Sequence, residues 1–121
     1  MTGIKHMDGN MTQKSKKILN LPLKAKWYDM IESGVKTEEY REIKPYWSKR
    51  LIGFNFIPFS YRYGYLSVNI KGFSHVRFRY GYTKRTMTFK IDDIRIGMGI
   101  PEWGAPDDRN VFIIKFSKDD G

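Results

Sequence analysis

The chain contains no cysteine. That excludes a disulfide framework and any zinc or iron–sulfur centre held by thiolates. Histidine is almost as scarce, with only His6 and His75, so no metal site and no cofactor are expected. No run approaches the roughly 20 apolar residues of a membrane span. Residues 1–17 lack the apolar centre of a secretory signal. They are polar and basic, and are expected to form a disordered tail ahead of a soluble, cytoplasmic domain. Met1, Met7 and Met11 each offer a start, so residues 1–10 are set aside from the fold reading. The familiar catalytic signatures are missing too: there is no P-loop, no G-x-S-x-G elbow and no H-E-x-x-H. Gly97-Met98-Gly99 lacks the third glycine and the preceding context of a dinucleotide fingerprint.

The most informative absence is of acid. Between Ile43 and Ile91 there are ten Lys and Arg and not one Asp or Glu. Residues 1–42 sum to +2 and residues 92–121 to −3, so the whole formal charge of +9 comes from this central stretch. The same stretch carries 13 of the 19 aromatic residues. Bases interleaved with rings suit a nucleic-acid partner, because Lys and Arg neutralise phosphates and exposed rings stack on unpaired bases. The competing explanation is that the rings form core and the bases only solvate a surface. An anionic membrane surface fits less well, since no long basic amphipathic helix is visible.

With 121 residues, 40% of them hydrophobic, the chain has the size of one domain with a real core. Ile18 to Leu23 reads as a short strand, with Pro22 marking a sheet edge or strand end. Leu23, Trp27, Met30 and Ile31 fall on one helical face, predicting a helix over Lys24–Ser33 that Gly34 stops. Trp27 and Met30 are expected in the core. Over Val35–Ile43, an extended chain would place Thr37, Glu39 and Arg41 on one face and Lys36, Glu38 and Tyr40 on the other. Pro45 suits the first position of a helix running to Ile52, ended by Gly53. Phe54 to Tyr65 is expected as a strand fragment plus a long loop or hairpin. Strands are expected at Leu66–Lys71, at His75–Tyr80 with a basic outer face, at Thr86–Ile96 with a bend at Asp92-Asp93, and at Val111–Phe116. Gly97 to Pro106 reads as a loop. The expected fold is α+β: a small twisted barrel of five or six strands with two short helices packed on it, spanning 18–118, with 119–121 as a tail.

Chemistry concentrates in Gly34-Val35-Lys36-Thr37-Glu38-Glu39-Tyr40-Arg41. Arg41 offers a planar fork for a phosphate or a base edge. Glu39, on the same strand face, either pairs with Arg41 as a structural ion pair or accepts from a base amino group. Lys36 is a point charge, and a nucleophile only if burial lowers its pKa. Trp103, between two proline-bearing turns, is either a lid that stacks on a ligand or a plug under the barrel. Arg77 and Arg79, on a strand face, suit a nucleic-acid backbone rather than a base. His75 is expected to be structural.

Gly34, Lys36, Glu39 and Arg41 form a G-x-K-x-x-E-x-R run directly after a helix that follows a first strand. In this the chain resembles the ASCH domain family, a PUA-like barrel group. Lys44-Pro45-Tyr46-Trp47, Arg77-Phe78-Arg79-Tyr80-Gly81-Tyr82, Pro101-Glu102-Trp103-Gly104-Ala105-Pro106 and Val111-Phe112-Ile113-Ile114 look like a subgroup found in bacteria and their phages. The likeness spans roughly Leu19 to Lys118. It implies a PUA-like barrel with a cleft between its wall and the early helices, lined by the hallmark residues, and an association with RNA. One branch of the family hydrolyses N4-acetylated cytidine with a Lys, Thr and Glu set. Its Lys aligns with Lys36, but its Thr falls at Glu39, with Thr37 two residues away, so that activity does not carry over.

The leading expectation is therefore an RNA- or modified-nucleotide-binding module. Lys36, Thr37, Arg41 and Lys44 would surround the ligand's phosphate end, Glu39 would read polarity, Trp103 would stack, and Arg77, Arg79 and Lys84 would extend a basic track. The alternatives are a hydrolase working through Lys36 and Glu39 on an acylated nucleoside or on RNA, and a protein-interaction module using Phe54–Tyr65.

Overall fold

The computed structural model describes residues 15–53 and 67–119. Residues 1–14 of the expected tail and the aromatic stretch 54–65 lie outside the described residues. Lys17 is bonded to the body, its N–H donating to Ser74 Oγ and its ammonium to the Lys71 carbonyl.

Strand β1 (Ile18–Leu23) turns Leu19, Leu21 and Leu23 inward. It pairs with a neighbour on one side only, which is why Pro22, lacking an N–H, is tolerated there. Helix α1 (Ala25–Glu32) follows at once and ends at Gly34, whose φ of +87° is a left-handed stop. The expected helical face needs correction. Leu23 belongs to β1, and the residues α1 buries completely are Tyr28 and Ile31. Tyr28 packs edge-on against Tyr80, with ring centroids 5.1 Å apart. That leaves Trp27 half-buried, between the core and the surface.

Next come β2 (Glu38–Arg41) and helix α2 (Pro45–Ile52). Pro45 opens α2 as expected, and Gly53 at φ +92° closes it. Strands β3 (His75–Tyr80), β4 (Thr86–Gly97) and β5 (Val111–Ser117) complete the sheet. Its order is β1-β3-β4-β5-β2, with β1 and β3 parallel and the other pairs antiparallel. A bulge between Ile91 and Asp93 breaks the register of β4 at the expected bend and bends the strand locally. The result is an α+β fold: one curled, five-stranded half-barrel with two helices.

The expected strand at Leu66–Lys71 does not form among its described residues. Val68 is fully buried and donates to the Ile94 carbonyl. Asn69, however, bonds both the N–H and the carbonyl of Phe73 through its side-chain amide, and Gly72 turns back with φ +74°. The asparagine side chain satisfies backbone groups that a ladder would otherwise need. The apolar alternation was real but had no strand to pair with.

The core lies inside the curl. Phe78, Phe89 and Phe116 form a ring cluster with centroids 5.0 to 5.9 Å apart, each such pair adding ~0.5–1.5 kcal/mol to simple burial. Leu51 and Ile52 of α2 join this core. A smaller cluster on the other face unites Tyr40, Ala105, Val111 and Ile113, with Trp103 packed against it.

Candidate functional site

The two edge strands, β1 and β2, approach each other where the half-barrel fails to close. Register places Glu39 opposite Ile114 and Arg41 opposite Phe112. Those partners belong to the core, so Glu39 and Arg41 point into the curl from its edge strand. This is the two-faced pattern expected from the sequence.

Lys36, Glu39 and Arg41 form one linked cluster. The Lys36 ammonium lies 3.0 Å from Glu39 Oε1 and donates to the Trp103 carbonyl at 2.5 Å. It sits over the rings of Tyr40 and Trp27, 4.6 and 5.2 Å from their centroids. The side chain is 0% exposed. Burial pulls its pKa below the ordinary 10.5, against the pull of Glu39 in the other direction. Arg41 donates Nη1 to Glu39 Oε2 and to the Tyr40 carbonyl. Its Nη2 reaches across the gap to the Pro22 carbonyl of β1 at 3.2 Å. Among the described residues, three of the five guanidinium N–H groups are thus engaged, and two remain. The cleft lining sets Lys24 and Arg41 against Glu39 and Glu42, and Arg41, 15% exposed, presents its remaining donors outward.

Outside this cluster opens a cleft of about 420 Å³. Pro22, Leu23 and Lys24 form one wall; Glu39 and Arg41 form its floor, with Tyr40 and Glu42 beside them; Trp27 and Trp103 flank it. Trp27 is seated by Gly104. A Cβ at that glycine would lie 3.0 Å from the indole, and its φ of +104° disfavours other residues. The 3₁₀ turn Pro101–Trp103 carries Trp103 against both the small apolar cluster and the cleft.

Glu39, Arg41 and Trp103 therefore meet as expected, and Lys36 braces Glu39 from behind. The remaining expected residues lie elsewhere. Thr37 lines a second cavity of about 400 Å³, walled by Ile31, Met87, Phe89 and Phe116. Lys44 is exposed at the start of α2, 3.8 Å from Glu42. Arg77 and Arg79 alternate with buried Val76 and Phe78, so they occupy the outer sheet face, away from the cleft. There Arg77 bonds Thr88 and Arg79 the Thr83 carbonyl. Lys84 belongs to the β3–β4 turn. That turn is tied to the cleft wall by the Gly81 N–H bonding the Leu23 carbonyl. His75 is structural, held between Ser74 Oγ at 2.8 Å and Asp119 Oδ2 at 2.7 Å.

Lys24 and Trp27, which line the cleft, were not singled out from sequence as ligand contacts. Tyr82, 94% exposed, lines a separate concavity with Pro22, Leu23 and Lys24. Among the described residues no three His, Asp or Glu gather as a metal site, and no helix is long and apolar enough to cross a membrane. No family model, curated protein or solved structure matches the chain.

Proposed function

We propose that this protein is an ASCH-type module that binds RNA or a modified nucleotide, seating one base in the cleft between Trp27 and Trp103. The observation that carries the reading is the cleft itself: two tryptophans flank a floor on which Arg41 presents spare donors. Flat rings favour a base, and the guanidinium favours its phosphate or a polar edge. Glu39 and Arg41 of the G-x-K-x-x-E-x-R run form that floor, and Lys36 braces Glu39 from behind, in keeping with the family resemblance.

The test is a thermal-shift panel of modified and unmodified nucleosides and nucleotides, since binding to the folded form raises apparent stability. A true ligand shifts the wild type, and Trp103→Ala weakens its binding by ~1–3 kcal/mol if the indole stacks. A panel with no shift, or a Trp103→Ala variant with full affinity, rejects the site.

The hydrolase alternative draws on the lowered pKa of Lys36. It requires the ammonium to leave Glu39 and the Trp103 carbonyl to reach a substrate. Binding requires no such rearrangement and is the preferred reading.

A further inference from the structure

Two guanidiniums lie against the ring of Trp47 of α2. Arg41, on the cleft floor, lies 5.1 Å from its ring centroid, and Arg50 lies 6.0 Å from the same centroid. The two guanidinium carbons are therefore no more than about 11 Å apart, the rise of roughly three stacked nucleotides at ~3.4 Å each. Arg50 belongs to a concavity of about 350 Å³ lined by Tyr46, Lys49, Arg50 and Lys71. Tyr46 is 61% exposed there, edge-on against Trp47 with centroids 4.8 Å apart.

No carboxylate among the described residues neutralises this concavity. Among the described residues Lys49, Arg50 and Lys71 form no ion pair, in contrast to Lys44, Arg85, Lys90 and Arg95, each of which has a carboxylate partner. Lys71 bonds the Arg50 carbonyl, and Arg50 Nη2 bonds the Asn20 carbonyl at 3.2 Å. Arg50 Nε is buried with no acceptor among the described residues. Among those residues its guanidinium is held by one long hydrogen bond and the contact with Trp47, and turning it toward an anion forfeits little else. Part of this arrangement is explained by the end of α2, where cations favour the helix dipole. That explanation does not cover the exposed tyrosine, the orphan donor or the third cation brought in from Lys71.

We infer that the α2 concavity is a second contact for single-stranded RNA: Lys49, Arg50 and Lys71 hold the phosphates next along the strand from the base in the cleft, and Tyr46 offers a ring to a neighbouring base. This rests on the reading of the cleft given above. It makes the ligand a strand rather than a lone nucleotide, and gives it a path across Trp47.

The experiment compares wild type with Lys49→Ala/Lys71→Ala and with Lys49→Glu, a change at a side chain that makes no hydrogen bond among the described residues. The probes are a short single-stranded RNA of mixed sequence and the nucleotides that shift the wild type, measured across a salt series. Expected is an RNA affinity about tenfold weaker at low salt in the double variant, with the slope of log K against log salt flattened by about 1.4, or ~0.7 per lost phosphate contact. Nucleotide binding stays at the wild-type level in both variants. Unchanged RNA affinity and slope in folded variants would overturn the α2 contact while leaving the cleft standing. Wild type that binds nucleotides but not RNA would overturn it in the same way, and failure to bind either would remove both. Displacement of the RNA by polyglutamate as readily as by unlabelled RNA would assign the surface to acidic proteins instead.

Discussion

At the scale of single residues, the buried Lys36–Glu39–Arg41 cluster is asymmetric, and so are the effects of breaking it. Glu39→Gln leaves two cations beside each other with no carboxylate, the situation in which loss of one partner costs ~3–5 kcal/mol. Lys36→Met leaves Glu39 neutralised by Arg41, fills similar volume, and forfeits chiefly the bond to the Trp103 carbonyl, costing ~1–3 kcal/mol. Urea denaturation is expected to rank Glu39→Gln as the more damaging; the reverse order would show that Lys36, not Glu39, organises the cluster. The pH dependence has a definite sign. The folded-state pKa of Lys36 lies below 10.5, so between that value and 10.5 the unfolded chain binds more protons and stability rises with pH. Tyr40 acts oppositely. Burial raises its phenol above the ordinary 10.0, so above pH 10 the folded state keeps a proton the unfolded chain loses, and stability falls. The rise toward pH 10 is expected to vanish in Lys36→Met while the fall beyond it persists.

At the scale of elements, β1 and β2 are the two free edges of the sheet, and Arg41 is the side chain that spans them. Its fork reaches Glu39, the Tyr40 carbonyl and the Pro22 carbonyl together, a geometry an ammonium cannot reproduce. Arg41→Lys is therefore expected to lower stability by ~1–3 kcal/mol. It should also speed hydrogen exchange at the β2 amides and at exposed β1 amides, with β3 and β4 unaffected. Uniform acceleration across the sheet would mean that Arg41 supports the whole core and not the seam. Much of this element layer was legible beforehand. The alternation of Leu19, Leu21 and Leu23, Pro22 as an edge marker, Pro45 and Gly53 around α2, and the Asp92-Asp93 bend all act through local backbone chemistry. So does the placement of Glu39 and Arg41 on one face, which follows from the two-residue period. Trp27 was less legible because its position depends on Tyr28 taking the deeper place and on Gly104 arriving from the far end of the chain. The supposed strand at Leu66–Lys71 misled for a related reason: alternation shows which side chains are apolar, not whether a neighbouring strand is there to pair.

At the scale of the whole molecule, the charge is unevenly compensated. Glu32, Glu42, Asp92 and Asp93 pair with Arg85, Lys44, Lys90 and Arg95, yet a net charge of +9 remains. Exposed pairs of this kind contribute only ~0–1 kcal/mol each, whereas self-repulsion acts across the whole surface and opposes compactness. The Lys36–Glu39–Arg41 cluster is largely buried and its short contacts are screened less than surface charges, so salt should act mainly on the repulsion. Raising sodium chloride from ~10 mM to ~150 mM shortens the screening length from ~30 Å to ~8 Å, which is smaller than the molecule. The melting temperature is therefore expected to rise over that interval. Sodium sulfate at matched ionic strength should raise it further, since a dianion can occupy the basic concavity of α2 and stabilise the folded form by mass action, beyond the general stabilising effect of sulfate on burial. The two contributions separate in Lys49→Ala/Lys71→Ala, where the additional gain from sulfate should shrink while the response to chloride remains. A melting temperature that falls as chloride is added would mean that the surface ion pairs outweigh the repulsion, and that the acid-free stretch is less strained in the free protein than its composition implies.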